Sequence, residues 1–99
     1  MNMQALMQQA QRMQKDMTKK KEELNKKIFV GTSELVEVTF TGDKKLVSVN
    51  IKQDGNLDEE DKEILQDMFV IAVNDAMKQI DKETENMLGA YGSQLSGLF

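Results

Sequence analysis

The chain has 99 residues, 30% of them charged, a formal net charge of −4, and neither cysteine nor histidine. That length supports one domain able to bury roughly 60–70% of its unfolded surface. The missing residue types exclude a disulfide framework, thiolate chemistry and zinc-finger ligation, and they remove the commonest general base and metal ligand.

No apolar run approaches a membrane span and no signal-peptide core opens the chain, so the expectation is a cytoplasmic protein without a membrane partner. Charge is unevenly spread. Residues 1–27 hold seven basic and three acidic side chains, net +4, whereas residues 58–99 hold three basic and ten acidic, net −7; the stretch between them is close to neutral at −1. A local basic surface can meet phosphate within an acidic chain if the acidic surface faces elsewhere.

In chain order, Met3, Leu6, Ala10, Met13, Met17 and Leu24 keep a three-four stride, interrupted at Lys20, and predict a helix over about 3–26 with one apolar seam. Methionine fills irregular gaps and specifies partners poorly, so the seam is expected to pack on the chain's own fold or on a partner subunit. At 100° per residue Arg12, Lys15, Lys19 and Lys26 share a sector of about 60° on the opposite side. Taken alone, such a stripe is most simply a solvated face, supported by pairs such as Arg12 with Asp16 and Lys19 with Glu23.

Ile28-Phe29-Val30-Gly31 reads as a short strand over about 28–31. Strict alternation through Val36-Glu37-Val38-Thr39-Phe40-Thr41 predicts a strand over about 34–41 with Val36, Val38 and Phe40 covered. Gly42-Asp43 is expected to form a two-residue turn with the glycine at positive φ. The return strand, about 45–51, should place Val47, Val49 and Ile51 on one face and Leu46, Ser48 and Asn50 on the other, half-buried.

Gln53-Asp54-Gly55-Asn56 is a turn cluster, and Asp58 is a suitable N-cap for a helix over about 58–88, with Asp61 three residues on. Glu59, Glu60 and Asp61 then sit where the helix dipole favours anions. They lack the spacing of a calcium loop, so no metal or other cofactor is expected. Ile64, Leu65, Met68, Ala72, Ala76 and Ile80 give this helix one apolar face, but the run Met68 to Val73 is apolar all round. A small sheet covers only one side. The second cover is expected to be another copy of the chain, with Phe69, Val70, Ile71 and Val73 in a homodimer interface. Gly89 is the expected C-cap, closing a domain of residues 1–89; residues 90–99 have the composition of a flexible tail, and the sequence gives its Leu95, Leu98 and Phe99 no particular place to dock.

The whole pattern is α+β, a long helix, a three-stranded antiparallel sheet and a second long helix. It resembles the YbaB/EbfC family of bacterial nucleoid-associated proteins through the Met/Gln-rich opening Met3 to Met17, the Gly31 junction, Leu35 to Gly42, Val47 to Ile51, the helix start Leu57 to Leu65, and Val73-Asn74-Asp75-Ala76. The resemblance implies a homodimer with projecting helices that binds duplex DNA and alters its conformation in the nucleoid, affecting nucleoid organisation and gene expression. Carried onto this chain, it assigns DNA contact to Arg12, Lys15, Lys19 and Lys26. The second long helix has only Lys62, Lys78 and Lys82 on an acidic background, a departure that counts against its share of that contact. The alternative from another class is a dimeric protein-interaction adaptor using the methionine-rich helix and the tail. Catalysis ranks below both, because no nucleophile–base pair or phosphate-cradling loop is present and Tyr91 stands alone; no small-molecule substrate is implied.

Overall fold

A computed structural model of the chain describes residues 2–52, 55 and 57–89. Most of the 53–56 turn cluster and the whole 90–99 segment lie outside the described residues. The element order is α1 (Met3–Lys26), β1 (Ile28–Thr32), β2 (Val36–Thr41), β3 (Leu46–Ile51) and α2 (Glu59–Gly89). The expected αβββα order is therefore present, with boundaries within two residues of those read from the sequence.

Both helix starts are capped by side chains. Asn2 Oδ1 accepts the Gln4 N–H at 3.0 Å. Asp58 Oδ1 accepts the Asp61 N–H at 2.8 Å while Asp61 Oδ2 accepts the Asp58 N–H at 3.1 Å, a reciprocal pair that satisfies two otherwise orphaned donors. The far end differs from expectation. Gly89 is still helical and takes no positive φ, so it does not cap α2.

The sheet is antiparallel in the order β1-β2-β3. Alternation in β2 is realised in full, with Val36, Val38 and Phe40 buried and their neighbours half-buried. Against them lie Phe29 of β1, Leu24 of α1, and Ala72, Ala76 and Ile80 of α2. Each large member stabilises the fold by about 1.5–3 kcal/mol through burial. The helix approaches β1 very closely at Gly31. A Cβ built there would lie 2.1 Å from the Ala72 carbonyl oxygen and 2.7 Å from the Ala76 nitrogen. Two alanines and one glycine thus let helix backbone meet strand backbone. From that position α2 also closes the outer edge of β1: Asp75 Oδ2 accepts the Thr32 N–H at 2.9 Å and Gln79 Nε2 donates to the Val30 carbonyl at 2.8 Å.

Strand β3 departs from the sequence expectation twice. All six of its residues are exposed, because α2 packs on β1 and β2 and leaves β3 largely uncovered. A bulge opposite Thr39/Phe40 also resets the register, so that Val49 faces Val38 and Ile51 faces Val36, but Leu46 rather than Val47 faces Phe40. The inward row is therefore Leu46, Val49 and Ile51.

The hairpin turn also differs from the expected two-residue form. The Lys44 N–H donates to the Thr41 carbonyl at 2.9 Å and the Thr41 N–H donates to the Lys45 carbonyl at 3.0 Å, which makes Gly42-Asp43-Lys44 a three-residue loop. Its left-handed position is Lys44, at φ 66°, and Gly42 does not take positive φ. Gly42 is needed for another reason. A Cβ there would stand 1.8 Å from the Leu24 carbonyl oxygen, while its N–H donates to the Lys27 carbonyl at 2.9 Å, fastening the hairpin beneath the end of α1. Asp43 accepts from the Thr41 hydroxyl and lies 3.6 Å from the Lys45 ammonium; the hydroxyl first, and then the lysine, hold its carboxyl below the usual carboxylate range. This contribution is present at neutral pH and is lost as pH falls through that lowered value.

Two stability predictions result. Gly31→Ala should destabilise by about 2–3 kcal/mol or more, since backbone rather than a flexible side chain must move; chemical denaturation measures it, and a cost under about 0.5 kcal/mol contradicts the close approach. Gly42→Ala should destabilise similarly, whereas Lys44→Gly should stabilise by about 0.5–1 kcal/mol by relieving the left-handed backbone. Melting temperatures that move in the same direction for both variants would refute this division of roles.

Candidate nucleic-acid interface

Helix α1 is an arm. Its 24 residues make a rod of about 36 Å, and α2, with 31, one of about 46 Å. The molecule is 70 Å long and 20 Å and 14 Å across, so the two rods overlap over only about 12 Å. The overlap is antiparallel and lies at the base of α1. There the Lys27 ammonium pairs with the Glu83 carboxylate, and Met17 and Leu24 share an apolar groove with Met87 and Leu88. Leu24 is the sole buried residue of α1. Toward the N-terminus the helix leaves the domain behind, and Met3 is 73% exposed. The expectation that the seam packs on the chain's own fold therefore holds only at the base.

Arg12, Lys15, Lys19 and Lys26 are all exposed along this arm. From Arg12 to Lys26 is about 21 Å, which matches roughly six nucleotide steps of duplex. The intrahelical pairs expected for this face, Arg12 with Asp16 and Lys19 with Glu23, are not formed. Among the described residues the ion pairs use other lysines: Lys27 with Glu83, Lys44 with Asp81 at 3.3 Å, Lys45 with Asp43, and Lys52 with Glu37 at 3.9 Å. The four stripe cations thus face solvent without a carboxylate partner in the described structure.

The acidic surface is disposed elsewhere. Glu59, Glu60, Asp61 and Glu63 occupy the start of α2, which the antiparallel arrangement places at the end of the molecule away from the arm. Of the acids nearer the arm, Glu83 is engaged by Lys27, Asp81 by Lys44, and Asp75 by the Thr32 amide. Among the described residues no cluster of three or more carboxylates fits a metal ion, and no helix is long and apolar enough to cross a membrane.

A second exposed surface is apolar. Phe69, Val70 and Ile71 are exposed, Val70 by 57% and Ile71 by 51%, while Val73 is half-buried and packs against the chain's own core. Asp75 and Gln79 mark the side of α2 turned to β1; at 100° per residue Val70 and Val73 lie on the opposite flank, toward β3. That flank adjoins the uncovered row Leu46, Val49 and Ile51, of which Leu46 is 48% and Ile51 49% exposed. The sequence names Phe69, Val70, Ile71 and Val73 as an expected interface; Ile71 lies off this flank, and the strand row beside the flank is not among the residues expected there. Alternation in β3 was the available signal, but it does not tell a covered face from an uncovered one.

A model of the YbaB/EbfC DNA-binding family matches residues 1–95. The chain is similar to a protein of Enterococcus faecalis named nucleoid-associated protein, 49% identical over 98 residues covering 97% of this chain and 93% of that one. It is similar also to a nucleoid-associated protein of Streptococcus agalactiae, 48% identical over 97 residues, covering 96% and 97% of the two chains. Among solved structures, the crystal structure of uncharacterized protein HP0035 from Helicobacter pylori superposes with a TM-score of 0.71 at 27% identity, covering 89% of this chain and 94% of that one.

Proposed function

We propose, from the premise that this chain belongs to the YbaB/EbfC DNA-binding family, that it is a nucleoid-associated protein which holds duplex DNA through the basic face of α1. The observation that carries the reading is the projecting helix whose Arg12, Lys15, Lys19 and Lys26 are exposed and unpaired among the described residues. Each cation can neutralise a phosphate and release condensed counterions. Lysine and arginine along one helix face position a duplex without reading its bases, so binding should tolerate sequence and respond to DNA shape. The family is defined by DNA binding, not by a reaction, and the working location is the nucleoid.

The active unit is a homodimer. Covering the strip formed by Phe69, Val70 and Val73 with Leu46, Val49 and Ile51 removes exposed apolar side chains of both elements from water, and a two-fold pairing of that strip is self-complementary. Two arms then project from one body and can engage one duplex together, altering its path. Val70→Glu should put an unpaired charge in this interface and yield a folded monomer, read by sedimentation; a stable wild-type monomer at micromolar concentration overturns the dimer.

Removing stripe charges should weaken binding to all duplex sequences about equally and flatten the slope of log affinity against log salt by about 0.9 for each phosphate that is no longer neutralised. The comparison is Lys15→Gln with Lys19→Gln against Lys44→Gln with Lys45→Gln, a charge-matched pair in the hairpin. Equal weakening would assign the effect to net charge. Retained binding in the helix variant would move the DNA site off α1. Absence of binding by the intact protein at low salt would leave the protein-interaction adaptor.

A further inference from the structure

The outer side of α2 carries an apolar strip that neither the sheet nor the flank toward β3 uses. Ile64, Met68 and Ile71 follow a four-three stride, the spacing at which one helix seats another. Ile64 is 44% and Ile71 51% exposed, while Met68 is half-buried against the core and forms the inner edge of the strip. At 100° per residue both isoleucines lie about 130° round the helix from Ala76, which faces the sheet, and about 100–120° from Val70 on the dimer flank. Each has a carboxylate one turn earlier, Glu60 before Ile64 and Asp67 before Ile71, and both acids are exposed and outside the ion pairs formed among the described residues. Residues 58–75 hold seven acidic side chains against the single basic Lys62, net −6.

We propose that this strip seats a basic amphipathic helix of another protein, which lays apolar side chains on Ile64 and Ile71 and sets Lys or Arg against Glu60 and Asp67. The stride selects a helix, since the two isoleucines stand about 10.5 Å apart along the axis and repeat as the contacts of one helix on another repeat. The rim selects the charge. A duplex or an anionic lipid surface would be repelled by the carboxylates, and a second copy of the same strip would set net −6 against net −6. The proposal goes beyond DNA binding and rests only on the homodimer using the β3 flank. The strip occupies the part of α2 remote from the arm, so a helix docked on it and a duplex on Arg12, Lys15 and Lys19 do not compete.

The test uses the full chain and a fluorescein-labelled peptide of about fourteen residues, made of leucine and lysine with the leucines at a three-four stride. Its control is a peptide of the same composition with the leucines shuffled off that stride. Fluorescence anisotropy at about 50 mM salt should show the patterned peptide binding at least fivefold more tightly than the shuffled one. Ile64→Ser with Ile71→Ser should weaken it at least tenfold. Glu60→Gln with Asp67→Asn should weaken it at least threefold and flatten its salt dependence. Val70→Glu, which disrupts the dimer through the other flank, should leave peptide affinity within twofold, so that failure of the dimer reading and failure of this one are told apart. Equal binding of the two peptides would reduce the effect to the acidity of the chain and overturn the proposal. So would unchanged affinity in the isoleucine variant, or unchanged salt dependence in the carboxylate variant. An isoleucine variant that sediments as a folded monomer would assign the strip to the homodimer interface and overturn it as well.

Discussion

The approach of α2 to β1 at Gly31 decides how the rest of the molecule is arranged. With Ala72 and Ala76 on the helix and no side chain on the strand, the two backbones come within the space a methyl group would fill. A helix held that low lies over β1 and β2, and it is too far across to shelter β3. It also lies near enough to the outer edge of β1 for Asp75 and Gln79 to hydrogen-bond that edge. One sheet edge is thereby closed by the chain itself, while the other side of the sheet keeps its apolar inner row bare. The asymmetry that a second subunit would resolve is thus a direct result of three small residues.

A second fastening acts through Gly42. Its missing side chain admits the Leu24 carbonyl, and its N–H holds the Lys27 carbonyl, so the end of α1 is bound to the hairpin by backbone atoms. The Lys27 ammonium adds a link to α2 through its ion pair with Glu83, and it lies 5.6 Å from the centre of the Phe29 ring. Exposed ion pairs contribute little, so the direction of the arm is set mainly by the glycine contact and by burial of Leu24. An arm with a fixed base can present a row of cations in a constant direction. That is the property a phosphate-binding helix requires.

The sequence made the element order, the covered face of β2 and the capped start of α2 legible, because each rests on local periodicity or on a cap two to three residues away. The placement of Arg12, Lys15, Lys19 and Lys26 on one face was legible for the same reason. What escaped were contacts between distant segments. Gly42 carries a turn-like composition, yet its role is a close approach to a helix eighteen residues earlier, and the left-handed position passed to a lysine. Alternation in β3 marked two faces without showing that neither is covered, and a bulge exchanged Leu46 for Val47 in the inward row. The methionine seam told which side of α1 is apolar but not how far along the helix the domain reaches.

The net charge of −4 gives little guidance to the behaviour of such an elongated molecule. Screening at physiological ionic strength limits the reach of a charge to about 8 Å, against a length of 70 Å here. A phosphate beside Lys15 responds to the arm and hardly at all to Glu59 or Glu60 at the start of α2. Of the acids near the arm's base, Glu83 and Asp81 already face Lys27 and Lys44, and along residues 1–27 seven basic side chains outnumber three acidic ones. The local field along α1 is consequently positive although the chain is acidic. Elongation is what allows both signs to act independently, so the same geometry that leaves the arm unsupported by the core also makes it electrostatically separate from it.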